Sequence, residues 1–204
     1  MRRSTIARIS RAIAWRSAWI TSVEVYRAGP IHASPATPVS FSPLRIRGTG
    51  ARETELARSA MRAAADDDTS VSARLAHGDE LFGWQSADGN VACFCWARYH
   101  GRAIGPVALR DQPGRVFLYN AQTLPQFRGQ GLYRTLLEHI MSTLTQERHS
   151  EFIGDVDRRN VVSRRGIESV GFTHVASITM VKIIRRWDRQ LRTVVLDRSM
   201  SPLF

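Results

Sequence analysis

Tyr119-Asn-Ala-Gln-Thr-Leu-Pro-Gln-Phe-Arg-Gly-Gln-Gly-Leu-Tyr133 decides how the rest of the chain is read. Arg115 to Thr123 has the β-branched and aromatic content of a strand. Pro125 then forbids further ladder pairing, because it has no N–H to donate. Gly129 and Gly131 open directly onto Gly131 to Gln146, where Leu132, Leu136, Leu137, Ile140, Met141 and Leu144 recur at 3- and 4-residue spacing, the clearest helical pattern in the sequence. A strand, a glycine loop and a helix start in that order place unpaired N–H groups and the positive end of the helix dipole beside backbone that a ligand can approach closely. Such a junction suits a phosphate. The Gly-x-Gly-x-x-Gly dinucleotide fingerprint is excluded, since position 134 is Arg.

Working outward, the spacing predicts a short strand over Pro43–Gly48, a helix over Ala51–Ala65 ended by Asp66-Asp67-Asp68, and a short helix over Val71–Ala76 stopped at Gly78. Glu80–Gln85 and Val91–Tyr99, joined through Ala87-Asp88-Gly89-Asn90, predict a β-hairpin. After the long helix come a strand at Phe152–Val156, a helix at Val161–Val170, and strands at Val175–Ile184 and Thr193–Asp197. The order β-α-α-β-β-β-α-β-α-β-β is that of a mixed α/β layer. No internal repeat or low-complexity segment interrupts it.

A second motif follows the first. Gln126-Phe-Arg128-Gly129-Gln130-Gly131 resembles the acyl-CoA pyrophosphate loop, Arg/Gln-x-x-Gly-x-Gly/Ala, of the GNAT acetyltransferase superfamily, and Asn160-Val-Val-Ser163-Arg-Arg-Gly-Ile-Glu168-Ser-Val-Gly171-Phe172 resembles that family's Asn-x-x-Ala/Ser helix ending in Gly-Phe. The likeness covers about residues 80–184. It implies an α/β, GNAT-like fold with a mixed, mostly antiparallel central sheet and helices on both faces, whose strands splay at the acyl-CoA site, with acetyl-CoA as co-substrate and no metal. The backbone N–H groups of Arg128, Gly129, Gln130, Gly131, Leu132 and Tyr133 would hold the pyrophosphate. Ala121 and Thr123 would pair with the pantetheine amides, Asn160 would reach the pantetheine arm, and Ser163 would lie near it. The implied reaction is attack of an amine on a thioester, which needs a base, an N–H donor for the oxyanion and an acid for the thiolate. Two positions depart from the family pattern. Tyr133 stands where relatives often carry Gly or Ala. Ile167 stands where many carry the tyrosine that protonates the thiolate.

Asp155 and Tyr119 are the candidate catalytic side chains. Asp155 and Asp157 share a strand face at period two; against a role for both stands Asp157 as the start of an Asp157-Arg158-Arg159 turn, with both carboxylates solvated. His100 is a weaker alternative, and His139 reads as a surface residue of the long helix. Cys93 and Cys95 sit in an apolar run and read as buried core, since a lone Cys-x-Cys supplies too few ligands for zinc. The Trp and Phe residues read as core as well.

Charge is the remaining signal. The chain has 204 residues and a net charge of +11, a length that favours one domain, and no apolar run approaches a membrane-spanning helix of about 18 residues. Residues 1–47 hold eight Arg and one Glu, so more than half of the excess lies in the first quarter. Ile6, Ile9, Ile13 and Ile20, with Trp15 and Trp19, suggest a basic amphipathic helix over residues 1–23, although Ile20–Tyr26 also alternates as a strand. That segment suits contact with a membrane surface or partner protein, an organelle transit peptide, or a helix packed on the domain. The division that follows is a basic N-terminal segment over 1–27, a Pro-rich linker over 28–43 and a GNAT-like domain over 44–198. The body lacks basic residues interleaved with aromatics, which disfavours nucleic acid. The leading function is an acyl-CoA-dependent N-acyltransferase acting on the amine of a small-molecule or sugar-linked acceptor, located in the cytoplasm or peripheral to a membrane, with a homodimer as a candidate assembly. The alternative is a catalytically degenerate acyl-CoA-binding module docked by its basic N-terminus.

Overall fold

The computed structural model describes residues 18–32, 36–104, 107–184 and 191–198. Strands β1 (Ala18–Ala28), β2 (Phe41–Ile46), β3 (Glu80–Ser86), β4 (Val91–Arg98), β7 (Arg115–Thr123), β8 (Glu151–Asp157), β9 (Thr173–Ile184) and β10 (Leu191–Arg198) form one open sheet in the order β10-β9-β1-β8-β7-β4-β3-β2. Every neighbouring pair is antiparallel except β7 and β8. The mixed sheet with helices on both faces agrees with the expected fold class. A two-residue hairpin, β5 (Ala103–Ile104) with β6 (Val107–Ala108), stands apart from the sheet and was not foreseen.

Burial explains the layers. β4 is apolar at nearly every position because it is covered on both sides: Phe94 and Trp96 pack with α1 (Ala51–Ala63) and α2 (Val71–Ala76), Cys95 and Ala97 with α3 (Leu132–Gln146) and α4 (Val161–Glu168). The six apolar positions that predicted the long helix are all buried in the second of these layers. The β3–β4 turn holds Gly89 at a positive, left-handed φ, which glycine adopts without cost.

The N-terminal segment is placed differently from its reading as an appendage. Ala18–Ala28 lies in the interior of the sheet, paired to β8 on one side and β9 on the other, so residues 18–23 are extended rather than helical and the domain reaches back beyond residue 44. Pairing on both edges satisfies the strand's backbone, and burial of Val23, Val25 and Tyr26 outweighs the helical spacing of the isoleucines. Of the expected linker over 28–43, Phe41–Pro43 already belongs to β2. Residues 1–17, which carry most of the expected amphipathic helix, lie outside the described residues.

Glu24 of β1 ties three strands together. Its buried carboxylate accepts from Ser177 Oγ at 2.5 Å and contacts His174 Nε2 at 2.6 Å, both on β9, while Arg158 just past β8 lies 3.4 Å away. Burial alone would raise its pKa, but the hydrogen bonds from Ser177 and His174, then the charges of His174 and Arg158, hold it below its ordinary value of 4.5. A depressed carboxylate contributes stability above the unfolded-state pKa and loses it as pH falls through the folded one. Glu24→Gln should therefore lower stability at pH 6 by about 1–3 kcal/mol. It should also flatten the loss of wild-type stability between about pH 5 and pH 3, measured by denaturant unfolding across that range.

Candidate functional site

The site begins where β7 and β8 part. Their parallel ladder runs from Arg115↔Glu151 to Leu118↔Gly154 and stops. Beyond it Tyr119–Thr123 stays with β4, while Asp155–Asp157 stays with β1. The break has local causes. Asn120 takes a positive, left-handed φ. Beside it the β4–β7 register shifts between Phe94 and Trp96, a bulge that turns β7 away. At the last paired position α4 packs close over Gly154, where a Cβ would stand 2.9 Å from Ile167 Cδ1 and 3.6 Å from the Leu118 carbonyl oxygen.

A cavity of about 150 Å³ fills the gap, lined by β7, β8, α3 and α4. Tyr119, Ala121, Tyr133, Asp155, Asn160 and Ser163, all singled out in the sequence, meet there, together with Ile167. Thr123 and residues 128–132 fall outside its lining. His100 is not brought to this site. It lines a separate cavity of about 450 Å³ at the other end of β7 with His77, Tyr99 and His149. His139 is half-buried against Trp84.

The two aspartates separate. Asp157 is exposed and caps its own turn, accepting from the Arg159 N–H at 2.8 Å. Asp155 faces the cavity, and burial raises its pKa above 3.8 against the opposing charge of Arg102. Tyr119 donates its hydroxyl to Asp79, a carboxylate that is itself buried and bound by Arg98 through Nε at 2.8 Å and Nη2 at 2.6 Å. Burial, then the Asp79 bond, pushes the Tyr119 phenol up, so it is held as a donor.

The glycine loop is open on the side a ligand would approach. Gly129 and Gly131 both take left-handed φ values, and a Cβ at either would meet nothing within 4 Å. Gly131 is the N-cap of α3, leaving the first N–H groups of that helix without an intrahelical partner. Arg128 is an exception within the expected loop set. Its N–H turns back to the Pro125 carbonyl at 3.3 Å, and its Nε donates to the Thr123 carbonyl at 3.2 Å. Asn160 caps α4, its Oδ1 accepting from the Ser163 N–H at 3.0 Å.

Sequence reasoning gave Tyr133 only a backbone role, yet its side chain enters the cavity. The ring lies against Gly166, where a Cβ would come 2.7 Å from Tyr133 Cδ1 and 2.8 Å from Cε1. Burial raises its phenol pKa, opposed by a hydrogen bond with Ser163 and reinforced by Cys95, Cys93 and Asp155 nearby. Gly166, one residue before Ile167, was the signal: a glycine inside a helix needs a packing reason. Cys95 also lines the cavity, but burial pushes both thiols up, Cys93 to about 12, so neither is a nucleophile at neutral pH.

The model of the acetyltransferase (GNAT) family matches residues 58–172, more than half of the chain. No curated protein matches the sequence. Among solved structures, a GNAT-family acetyltransferase from Novosphingobium aromaticivorans is 19% identical at a TM-score of 0.58, with 80% of this chain and 63% of that one covered. A GCN5-related N-acetyltransferase from Sphaerobacter thermophilus is 13% identical at 0.59, covering 88% and 57%. An aminoglycoside N-acetyltransferase, solved with the bisubstrate analogue CoA-S-monomethyl-acetylneamine, is 20% identical at 0.50, covering 65% and 90%. The chain spans about three fifths of the length of the first two.

The Tyr133–Gly166 contact is directly testable. Ala at position 166 gains up to about 1 kcal/mol of helix propensity but overpacks against the ring, which costs about 1–3 kcal/mol. Gly166→Ala should therefore destabilise the wild type and stabilise a Tyr133→Ala background, a reversal of sign read by urea unfolding of the four proteins.

Proposed function

The chain belongs to the GNAT acetyltransferase family, and on that premise we propose that it is an acyl-CoA-dependent N-acyltransferase, most simply an acetyltransferase, acting on the amine of a small-molecule or sugar-linked acceptor. The observation that carries this reading is the parting of β7 and β8 over a cavity that holds a desolvated carboxylate, Asp155, beside a buried phenol, Tyr133. The acetylneamine analogue on an aminoglycoside N-acetyltransferase of this fold supports an amine as acceptor.

The residues present fit acetyl-CoA. Open space over two left-handed glycines and the free N–H groups from Gly131 to Tyr133 suit a pyrophosphate. The backbone of Ala121, past the end of the β8 ladder, suits a pantetheine amide, with Asn160 and Ser163 across the cavity; at Thr123 such pairing would share a carbonyl that already accepts from Arg128 Nε. When bound, acetyl-CoA supplies a thioester whose carbonyl carbon bonds to the acceptor nitrogen as its bond to sulfur breaks. Of the two protons that an ammonium acceptor gives up, Asp155 takes one to free the lone pair, and its raised pKa makes it a better base than a solvated aspartate. The other is balanced at sulfur, where Tyr133 takes the place left by Ile167. Its phenol keeps its proton at neutral pH and so can donate it to a thiolate. Tyr119, locked to Asp79, positions the β7 wall rather than moving a proton.

Acetyl-CoA at 100 times its Kd should stabilise the protein by about 2.7 kcal/mol in a thermal-shift assay. Gly131→Glu should abolish that gain by setting a charged side chain against phosphate. Without ligand the same variant should lose about 1–2 kcal/mol of stability, because a left-handed backbone strains any residue with a Cβ. Unchanged acetyl-CoA stabilisation in this variant would sink the loop assignment.

Catalysis has its own test in a thiol-release assay. Since Asp155 must be ionised, kcat/KM should rise with pH through a pKa above 3.8. Asp155→Asn should remove that limb with a loss of about 10²–10⁴-fold. Tyr133→Phe should lower kcat while leaving acetyl-CoA stabilisation intact. Stabilisation without turnover by the wild type on any amine would favour the binding-module alternative.

A further inference from the structure

On the sheet face covered by α1 and α2, three guanidinium groups crowd one ring. Arg102 Cζ lies 4.8 Å from the Tyr119 ring centroid, Arg74 Cζ 5.3 Å and Arg98 Cζ 5.4 Å. Arg102 also stacks on Phe117 at 4.4 Å and Arg74 on Trp96 at 5.1 Å. Three cations so close repel one another unless countercharge is near. Asp79 forms a direct, two-pronged ion pair with Arg98, whereas Arg102 feels Asp155 and Asp79 only through their charge. Among the described residues neither Arg74 nor Arg102 forms an ion pair with a carboxylate.

The donors confirm the imbalance. Arg74 Nη1, Arg102 Nε and Trp96 Nε1 are all buried with no hydrogen-bond acceptor. Stacking on an aromatic face satisfies the flat of a guanidinium but none of the five N–H bonds in its plane. Buried polar atoms are nearly always partnered, so three orphan donors in one contiguous patch call for an external acceptor. The patch adjoins the catalytic cavity: Tyr119 lines both, and Arg102 is the cation whose charge Asp155 feels. Along β8, Asp155 falls two residues after Ile153, which packs on this same face, so the carboxylate and the cations address the same side of the sheet.

We propose that the acceptor carries an anionic group, a carboxylate or a phosphate, which seats on Arg74 and Arg102 while its amine is presented to Asp155. Two guanidinium forks suit the planar or tetrahedral oxygens of such a group, and their desolvated setting strengthens the contact. A neutral amine would leave both forks unpaired, so the subsite rejects it. This rests on the transferase reading for the reaction, whereas the anion seat itself does not.

The test therefore has two readouts on the full chain. The first is binding without turnover. Inorganic phosphate and acetate, each titrated against a sodium chloride control of equal ionic strength, should raise Tm saturably with at least one of them. Arg74→Gln and Arg102→Gln should each weaken that apparent affinity 10-fold or more, and Lys at either position should restore part of it. A merely structural arginine would leave a destabilised protein with unchanged anion affinity. The second is turnover with acetyl-CoA on paired amines differing only in the anion: an amino acid against its amide, and a phosphorylated amino alcohol against its parent. The anionic member of one pair should show at least 10-fold higher kcat/KM, and which pair discriminates tells carboxylate from phosphate. Saturable anion binding with no amine acetylated would retain the seat and reject the transferase reading. Absent or variant-independent anion binding, or equal rates within both pairs, would overturn the proposal.

Discussion

One constraint organises the molecule: β8 cannot follow β7 beyond Leu118 and Gly154. Up to that point the two strands share a ladder, and past it each keeps only its other neighbour, β4 for β7 and β1 for β8. Backbone groups buried inside a domain must find partners, so a permanently opened ladder persists only where something else satisfies or replaces the lost bonds. β1 is the answer on one side. By inserting between β8 and β9 it keeps Asp155–Asp157 paired along their far edge within the one sheet, and Glu24 ties it to Arg158, His174 and Ser177 there. The Asn120 bulge is the answer on the other.

From that parting the site chemistry follows with few free choices. Gly154 lets Ile167 pack close over the strand, since a Cβ there would stand 2.9 Å from its Cδ1. Ile167, a hydrocarbon side chain, supplies packing and no proton. The neighbouring Gly166 leaves room for a ring, and Tyr133, in the first turn of α3, fills it. The departure in the first motif, Tyr133, thus packs on Gly166, the residue before the departure in the second, Ile167.

Much of this was legible in the sequence, for physical reasons that also mark its limits. The hydrophobic spacing of α3 and the unbroken apolar run of β4 report burial on one face and on two, so their elements could be read directly. The glycine loop and the Asn160 cap were readable because each follows from local backbone chemistry. β1 was not, since its partners β8 and β9 lie near the other end of the chain. A strand buried by such distant pairing leaves no local sign beyond a few alternating residues. The β5–β6 hairpin is two residues a side, too short for any period to register. The divergence of Asp155 from Asp157 needed the strand's end: period two puts them on one face, but only one of them is still beneath the cover of the fold. The arginine patch was illegible because it draws Arg74, Arg98 and Arg102 from separate places in a chain where arginine is everywhere.

The proposed anion seat bears on the proposed base, Asp155, as well as on the acceptor. Two opposed influences set the proton affinity of Asp155: burial raises it, and the charge of Arg102 lowers it. Arg102 is itself buried enough that its own pKa is drawn down. With Arg102 bare, its field favours the carboxylate and opposes the rise that burial imposes on Asp155. An anion seated on Arg102 screens that field, the lowering influence fades, and burial alone governs. The proton affinity of Asp155 then climbs at the moment an ammonium stands beside it. The same contact that recognises the acceptor would in this way strengthen the base that activates it, which couples the choice of substrate to the chemistry without any movement of the sheet.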